Sequence, residues 1–86
     1  MAKEKRDYQV IDADGRVVLS RIDMENDFGV TGASNGFGWS GGKAPFKVYC
    51  GIVGSGSGYG LLGTVPEGAE RMYLDTGEAP DLEQAP

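Results

Sequence analysis

Two runs of apolar and β-branched residues, folded back on a glycine–serine link, constrain this chain more than any other feature. Phe46-Lys47-Val48-Tyr49-Cys50-Gly51-Ile52-Val53 and Tyr59-Gly60-Leu61-Leu62-Gly63-Thr64-Val65 flank Gly54-Ser55-Gly56-Ser57-Gly58. The link cannot hold a helix and supplies positive φ without steric cost. The runs on either side have strand composition. Side chains alternate along a strand, so the pairing register decides what shares a face. With Ser55-Gly56 at the tip, Ile52 faces Tyr59, Cys50 faces Leu61, Val48 faces Gly63 and Phe46 faces Val65, and every large side chain on that face is apolar. The opposite face pairs Lys47 with Thr64, Tyr49 with Leu62 and Gly51 with Gly60. A five-residue loop slips the pairing by one, setting the Phe46 face against Gly60, Leu62 and Thr64, which buries less. The first register is therefore the expected one. Its Gly51/Gly60 pair leaves bare backbone that the protein's own side chains are expected to fill.

An earlier pair of strands is written around Asp14-Gly15, a dipeptide suited to the positive φ values of a type I′ hairpin turn. Residues 7–12 and 17–23 form its arms, with Val10 opposite Leu19, Tyr8 opposite Arg21, Asp12 opposite Val17 and Ile11 opposite Val18. Residues 24–45 are less patterned. Ser34-Asn35-Gly36-Phe37 offers a second turn of this kind, with residues 30–33 and 37–40 as short arms. After a turn at 66–70, residues 71–75 supply a last strand. No helical periodicity longer than about one turn is present. The expectation is an all-β fold: a small antiparallel sheet, open barrel or sandwich of five to seven short strands. It occupies residues 7–77, between a flexible segment at 1–6 and a disordered acidic tail with proline at 78–86.

Bulk properties narrow the functional classes. A chain of 86 residues makes one domain and buries only roughly 60–65% of its unfolded surface, so association with another chain would help it. Twelve of its 15 glycines fall between Gly29 and Gly63, which places the turn-forming bias in the middle of the chain. The formal charge of −5 gives no field for a polyanion, and direct nucleic-acid binding is not expected. The lone cysteine, Cys50, lies in an apolar strand and reads as a buried reduced thiol. With no apolar leader after the basic start and no membrane-length apolar run, a cytoplasmic protein is expected.

Several short motifs fail on their context. Residues 36–41 and 58–63 both match G-x-G-x-x-G, but neither opens a helix, as a dinucleotide site requires. Residues 36–43 miss the phosphate-loop spacing by one, and Ala44 stands where a magnesium-binding hydroxyl is needed. Over Asn35 to Gly41 the chain resembles the phosphate loop of dUTPases. It is too short for that fold, and Trp39 replaces a small hydroxyl residue, so the activity is not carried over. The acids of residues 23–29 would place Phe28 and Ser34 where a calcium loop needs Gly and Glu. Catalysis is not expected: there is no histidine to act as general base, and an apolar strand raises a thiol pKa. No cofactor or metal is called for.

What remains is recognition. Trp39 is the only tryptophan and stands among small residues. It serves either as the lid of a small core or as the anchor of an interface, where Trp is enriched. The first functional expectation is a non-catalytic interaction protein that binds a protein partner through Trp39, Phe37, Phe28, Asp27 and Glu25. Its size and lack of catalytic motifs suit an inhibitor carried by a phage or mobile element against a host defence protein. A second is an oligomeric nucleotide- or small-ligand-binding module using the backbone of Gly36, Gly38, Gly41 and Gly42 with Lys43. A third is an assembly subunit whose strand edges pair between homo-oligomer protomers.

Overall fold

A computed structural model describes residues 4–86. Six strands follow one another: β1 (Glu4–Ile11), β2 (Val17–Asn26), β3 (Asn35–Gly38), β4 (Phe46–Ile52), β5 (Tyr59–Val65) and β6 (Met72–Asp75). All pair antiparallel, in a four-stranded sheet of order β2-β1-β4-β5 and a two-stranded sheet of β3 and β6. There is no helix among the described residues, and the sheets do not close into a barrel. The all-β expectation and its strand number hold. The flexible segment expected at 1–6 lies outside the described residues as far as residue 3, and Glu4 to Arg6 begin β1.

The β1–β2 hairpin forms where Asp14-Gly15 predicts it. Val10 pairs with Leu19 and Tyr8 with Arg21, as expected. Gly15 takes φ of 83°. The Asp12 carboxylate accepts the N–H groups of Arg16 (2.8 Å), Asp14 (3.0 Å) and Lys43 (3.2 Å), tying the turn to the segment that precedes β4. Irregularities at both ends alter the remaining pairs. Ile11 meets Val17 instead of Val18, and Asp7 stands opposite both Ile22 and Asp23. Asp23 takes a left-handed φ of 55°, and its N–H donates to Asp7 Oδ1 at 2.8 Å.

The central hairpin contains both registers considered from the sequence. Phe46 pairs with Val65, Lys47 with Thr64 and Val48 with Gly63, the expected set. A bulge then takes up Leu62, and beyond it Tyr49 pairs with Leu61, Cys50 with Gly60 and Gly51 with Tyr59. Leu61 thus shares the face of Tyr49 and is turned away from Val48, which corrects the single apolar face expected for the whole hairpin. The cause lies outside the hairpin. A Cβ at Gly63 would sit 2.7 Å from the Tyr73 ring, and one at Gly60 would sit 2.7 Å from the Asp81 backbone. The bulge brings both glycines under those neighbours and still lets Leu62 pack on the core. Bare backbone is covered by the protein's own atoms, as expected, with the Tyr59 ring over Gly51.

The second hairpin expected at residues 30–40 does not form. Asn35 and Gly36 are the start of β3, and their partners are Asp75 and Leu74 of β6. A turn there would carry Phe37 to the surface; as a strand, β3 points Phe37 and Asn35 inward.

The small sheet lies across the inner face of the large one. Phe37 packs 4.7 Å, centroid to centroid, from Tyr8 and 6.1 Å from Tyr73. Tyr8, Val10, Leu19, Phe46, Val48, Cys50 and Val65 complete the core, with Val18, Met24, Trp39, Ala44, Leu62 and Tyr73 around it. Residues 77–81 then run back from β6 to β5, where Leu61 and Asp81 exchange N–H···O bonds of 3.0 and 2.8 Å. The sequence predicts a tail without order from residue 78 because it has few apolar side chains to bury. At Asp81 that segment meets β5 through backbone bonding, which composition does not report.

Candidate partner-binding face

The inward and outward sides of the small sheet have opposite chemistry. Strand alternation sends Asn35, Phe37, Tyr73 and Asp75 toward the core and Gly36, Gly38, Met72 and Leu74 away from it.

The inward side closes a polar cluster. Asp75 is 0% exposed and Arg6 3%. Arg6 Nη1 lies 3.1 Å from Asp75 Oδ2, and Glu4 pairs with the same guanidinium. Tyr8 Oη donates to Asp75, and Asn35 Nδ2 donates to Tyr8 Oη at 3.0 Å. Asn26 Nδ2 donates to Asn35 Oδ1 at 3.0 Å and to Ser34 O at 2.7 Å. The Gly77 N–H donates to Asp75 Oδ1 at 2.9 Å, and Arg6 donates to Glu78 O at 2.7 Å and Gly77 O at 3.3 Å. The Phe28 ring lies 4.7 Å from the guanidinium carbon. Burial opposes the charge on Arg6, but Glu4 and Asp75 hold its pKa above the ordinary value. Burial, with the bond to Asp75 added, pushes the Tyr8 hydroxyl up, and burial pushes the Cys50 thiol up to about 11 despite Arg6 nearby. The cluster joins β1, β3, β6 and the C-terminal segment, and its polar groups are occupied by one another. Its chemistry is that of a structural pin.

The outward side is apolar and bare. Leu74 is 54% exposed, Met72 53% and Val30, from the loop before β3, 55%. Gly36 and Gly38 put no side chains between them: a Cβ at Gly36 would lie 3.3 Å from Leu74 Cδ1, and one at Gly38 would lie 3.3 Å from Arg71 O. The 27–34 loop is held by two turns, Val30 N–H to Asp27 O and Ala33 N–H to Val30 O, each 3.1 Å. Between that loop and β6 runs a groove of about 450 Å³ lined by Phe28, Val30, Thr31, Leu74 and Thr76. The segments that supply the groove's lining are acidic in sequence. Residues 22–42 carry Asp23, Glu25 and Asp27 and no lysine or arginine; residues 72–86 carry Asp75, Glu78, Asp81 and Glu83 and again none.

The residues singled out from the sequence scatter over this geometry. Phe37 is in the core at 8% exposure. Trp39 is half-buried, 5.4 Å from Phe46 in an edge-on contact and 6.4 Å from Phe37. Its Nε1 is buried without a hydrogen-bond partner, and the ring serves as a lid on the core. Phe28 lines the groove, while Asp27 and Glu25 precede it in the chain without lining it. Gly36 and Gly38 belong to the apolar face. The Gly41 and Gly42 carbonyls accept from Arg71 at 3.0 and 3.2 Å, and the Lys43 N–H goes to Asp12. The five ligand-site candidates are therefore not gathered into one loop. Lys43 and Arg71 line a separate groove of about 260 Å³ together with Glu67. Among the described residues no group of three or more His, Cys, Asp or Glu is placed to hold a metal ion. Among the described residues, no helix is long and apolar enough to cross a membrane.

Sequence reasoning missed Met72, Leu74 and Val30. The alternation Met72-Tyr73-Leu74-Asp75 does divide the strand into two faces, but hydrophobicity alone assigns Met and Leu, not Tyr and Asp, to the interior. Comparison with known proteins finds no matching family model, no matching curated protein and no matching solved structure.

Proposed function

We propose that this protein is a non-catalytic interaction protein that seats a basic protein surface on the outer face of the β3–β6 sheet. An apolar side chain of the partner enters the groove between Val30 and Leu74, and lysine or arginine residues around it meet the acids of residues 23–27 and 78–83. The observation that carries this reading is the exposure of Met72, Leu74 and Val30 on one face, in segments whose charged residues are all acidic, while Tyr73 and Asp75 are turned inward. Exposed apolar groups rimmed by polar ones are characteristic of recognition surfaces. The acidic character of those segments favours a basic partner over a second copy of the same face, which would bring like charges together. It disfavours phosphate backbones for the same reason. The chain's small size and lack of catalytic motifs suit an inhibitor that covers the partner's own surface. Less supports a nucleotide-binding reading: the Gly41 and Gly42 carbonyls turn to Arg71, and Glu67 lines the same groove as Lys43.

The test is capture from a lysate compared across surface variants. A basic protein should be retained by the wild type and by Val53→Asp, which alters an exposed apolar residue on the β4–β5 link. It should be lost with Leu74→Asp or Val30→Asp, and its retention should weaken as salt rises. Retention that ignores Leu74→Asp and Val30→Asp would contradict the reading.

A further inference from the structure

The large sheet has two edge strands, and they are defended by different means. β2 carries Arg21, Asp23 and Glu25 and a bulge at which Asp23 has φ of 55°. Charges and bulges are common devices that keep a foreign strand off an edge. β5, Tyr59-Gly60-Leu61-Leu62-Gly63-Thr64-Val65, contains no charged residue. Its outer edge is instead met by the chain's own C-terminal segment, through the reciprocal Leu61–Asp81 bonds of 3.0 and 2.8 Å. Three further features lead the segment there. Gly77 turns with φ of 100° where a Cβ would lie 3.0 Å from Phe28, Arg6 holds the Gly77 and Glu78 carbonyls, and Gly60 leaves room where a Cβ would come within 2.7 Å of Asp81. The hold on β5 itself is slight: one pair of backbone bonds, with Leu82 still 48% exposed.

We infer that β5 is a self-association edge of this protein, guarded in cis by residues 77–82, and that a second copy's β5 takes the edge when the guard lifts. Two uncharged β5 strands pair antiparallel about a two-fold axis with no like-charge contact in the strand, a self-complementary arrangement. When the guard lifts, Asp81 and Glu83 leave the edge with it. A chain of this size also gains stability by burying more surface. This edge is distinct from the exposed Met72–Leu74–Val30 face of the small sheet.

Full-length Gly60→Ala tests the inference, because the added methyl group displaces the Asp81 backbone. By light scattering the wild type should remain monomeric over a concentration series, while the apparent mass of Gly60→Ala should double as concentration rises. Adding Leu61→Pro, which removes the outward N–H that the guard uses, should return that variant to monomer. Asp81→Pro, which removes the guard's donor at an exposed position, should reproduce the association without any change inside the sheet. Both variants remaining monomeric with the Leu61 amide freely exchanging would overturn the inference, as would a dimer that persists with Leu61→Pro.

Discussion

Asp75 shows how much one side chain can organise here. It receives Arg6, the Tyr8 hydroxyl and the Gly77 N–H while excluded from solvent. Breaking a buried ion pair on one side leaves a charge with no solvent and no partner, which costs about 3–5 kcal/mol. Asp75→Ala should therefore lower the unfolding free energy in urea by about that amount. A loss below about 1 kcal/mol, the range of exposed pairs, would contradict the burial described. Cys50 gives a second test at this scale. Burial lifts its folded pKa to about 11, above the ordinary thiol value of 9.0. The folded state thus keeps the proton longer than the unfolded chain does, so the unfolded state gains as pH rises. Stability should be intact below about pH 9 and fall toward pH 11, with the raised Tyr8 extending the decline. A melting temperature that stays flat over that window would contradict it. The roles of Asp75 and Arg6 were not legible from their neighbours in sequence. Asp75 reads as a polar strand end and Arg6 as part of a frayed start, because their burial depends on a partner 69 positions away. Cys50 was legible, since an apolar strand alone implies a buried thiol.

Among elements, the central hairpin was legible where its own residues decide the pairing and illegible where others do. Phe46–Val48 against Gly63–Val65 follows from alternation within the two runs. The shift at Leu62 follows from Tyr73 and Asp81, which approach glycines from other parts of the chain. Gly63→Ala tests that cause. Its methyl group would lie 2.7 Å from Tyr73, and overpacking of this kind costs about 1–3 kcal/mol. Gly56→Ala, with φ of 73° and nothing near its Cβ position, should cost only about 1 kcal/mol of backbone strain. Equal losses in urea unfolding would remove Tyr73 as the reason for the bulge. β3 was misread for a related reason. Asn35-Gly36 has the composition of a turn, but pairing with β6 buries Phe37 against Tyr8 and gives Asn35 a partner in the Tyr8 hydroxyl. Local turn propensity is smaller than that combined gain. The β1–β2 hairpin, whose turn signal and apolar pattern agree, was read correctly at its centre.

For the whole molecule, the division between a core and the proposed recognition face follows from the small sheet lying on the large one. Trp39 belongs to the first and Leu74 to the second. Trp39→Ala should destabilise the protein by about 2–3 kcal/mol, below the 3–5 kcal/mol of a fully buried Trp, because the ring is only half-buried. Its folded fraction should still bind the partner. Leu74→Asp should leave the melting temperature near that of the wild type and abolish binding. Composition leaves Trp39 open as core lid or interface anchor and assigns a strand leucine to the interior; the acidic character of the chain, by contrast, is visible in its net charge of −5. The most direct measurement is a methyl NMR titration of the full chain with short peptides bearing a leucine flanked by lysine and arginine. The peptides should shift the methyl signals of Leu74, Met72 and Val30, with an affinity that falls as salt rises and is lost when glutamate replaces the basic residues. Silence at those three methyls, an equal response to the acidic peptides, or shifts centred on the Lys43–Arg71 groove would contradict the assignment of this face.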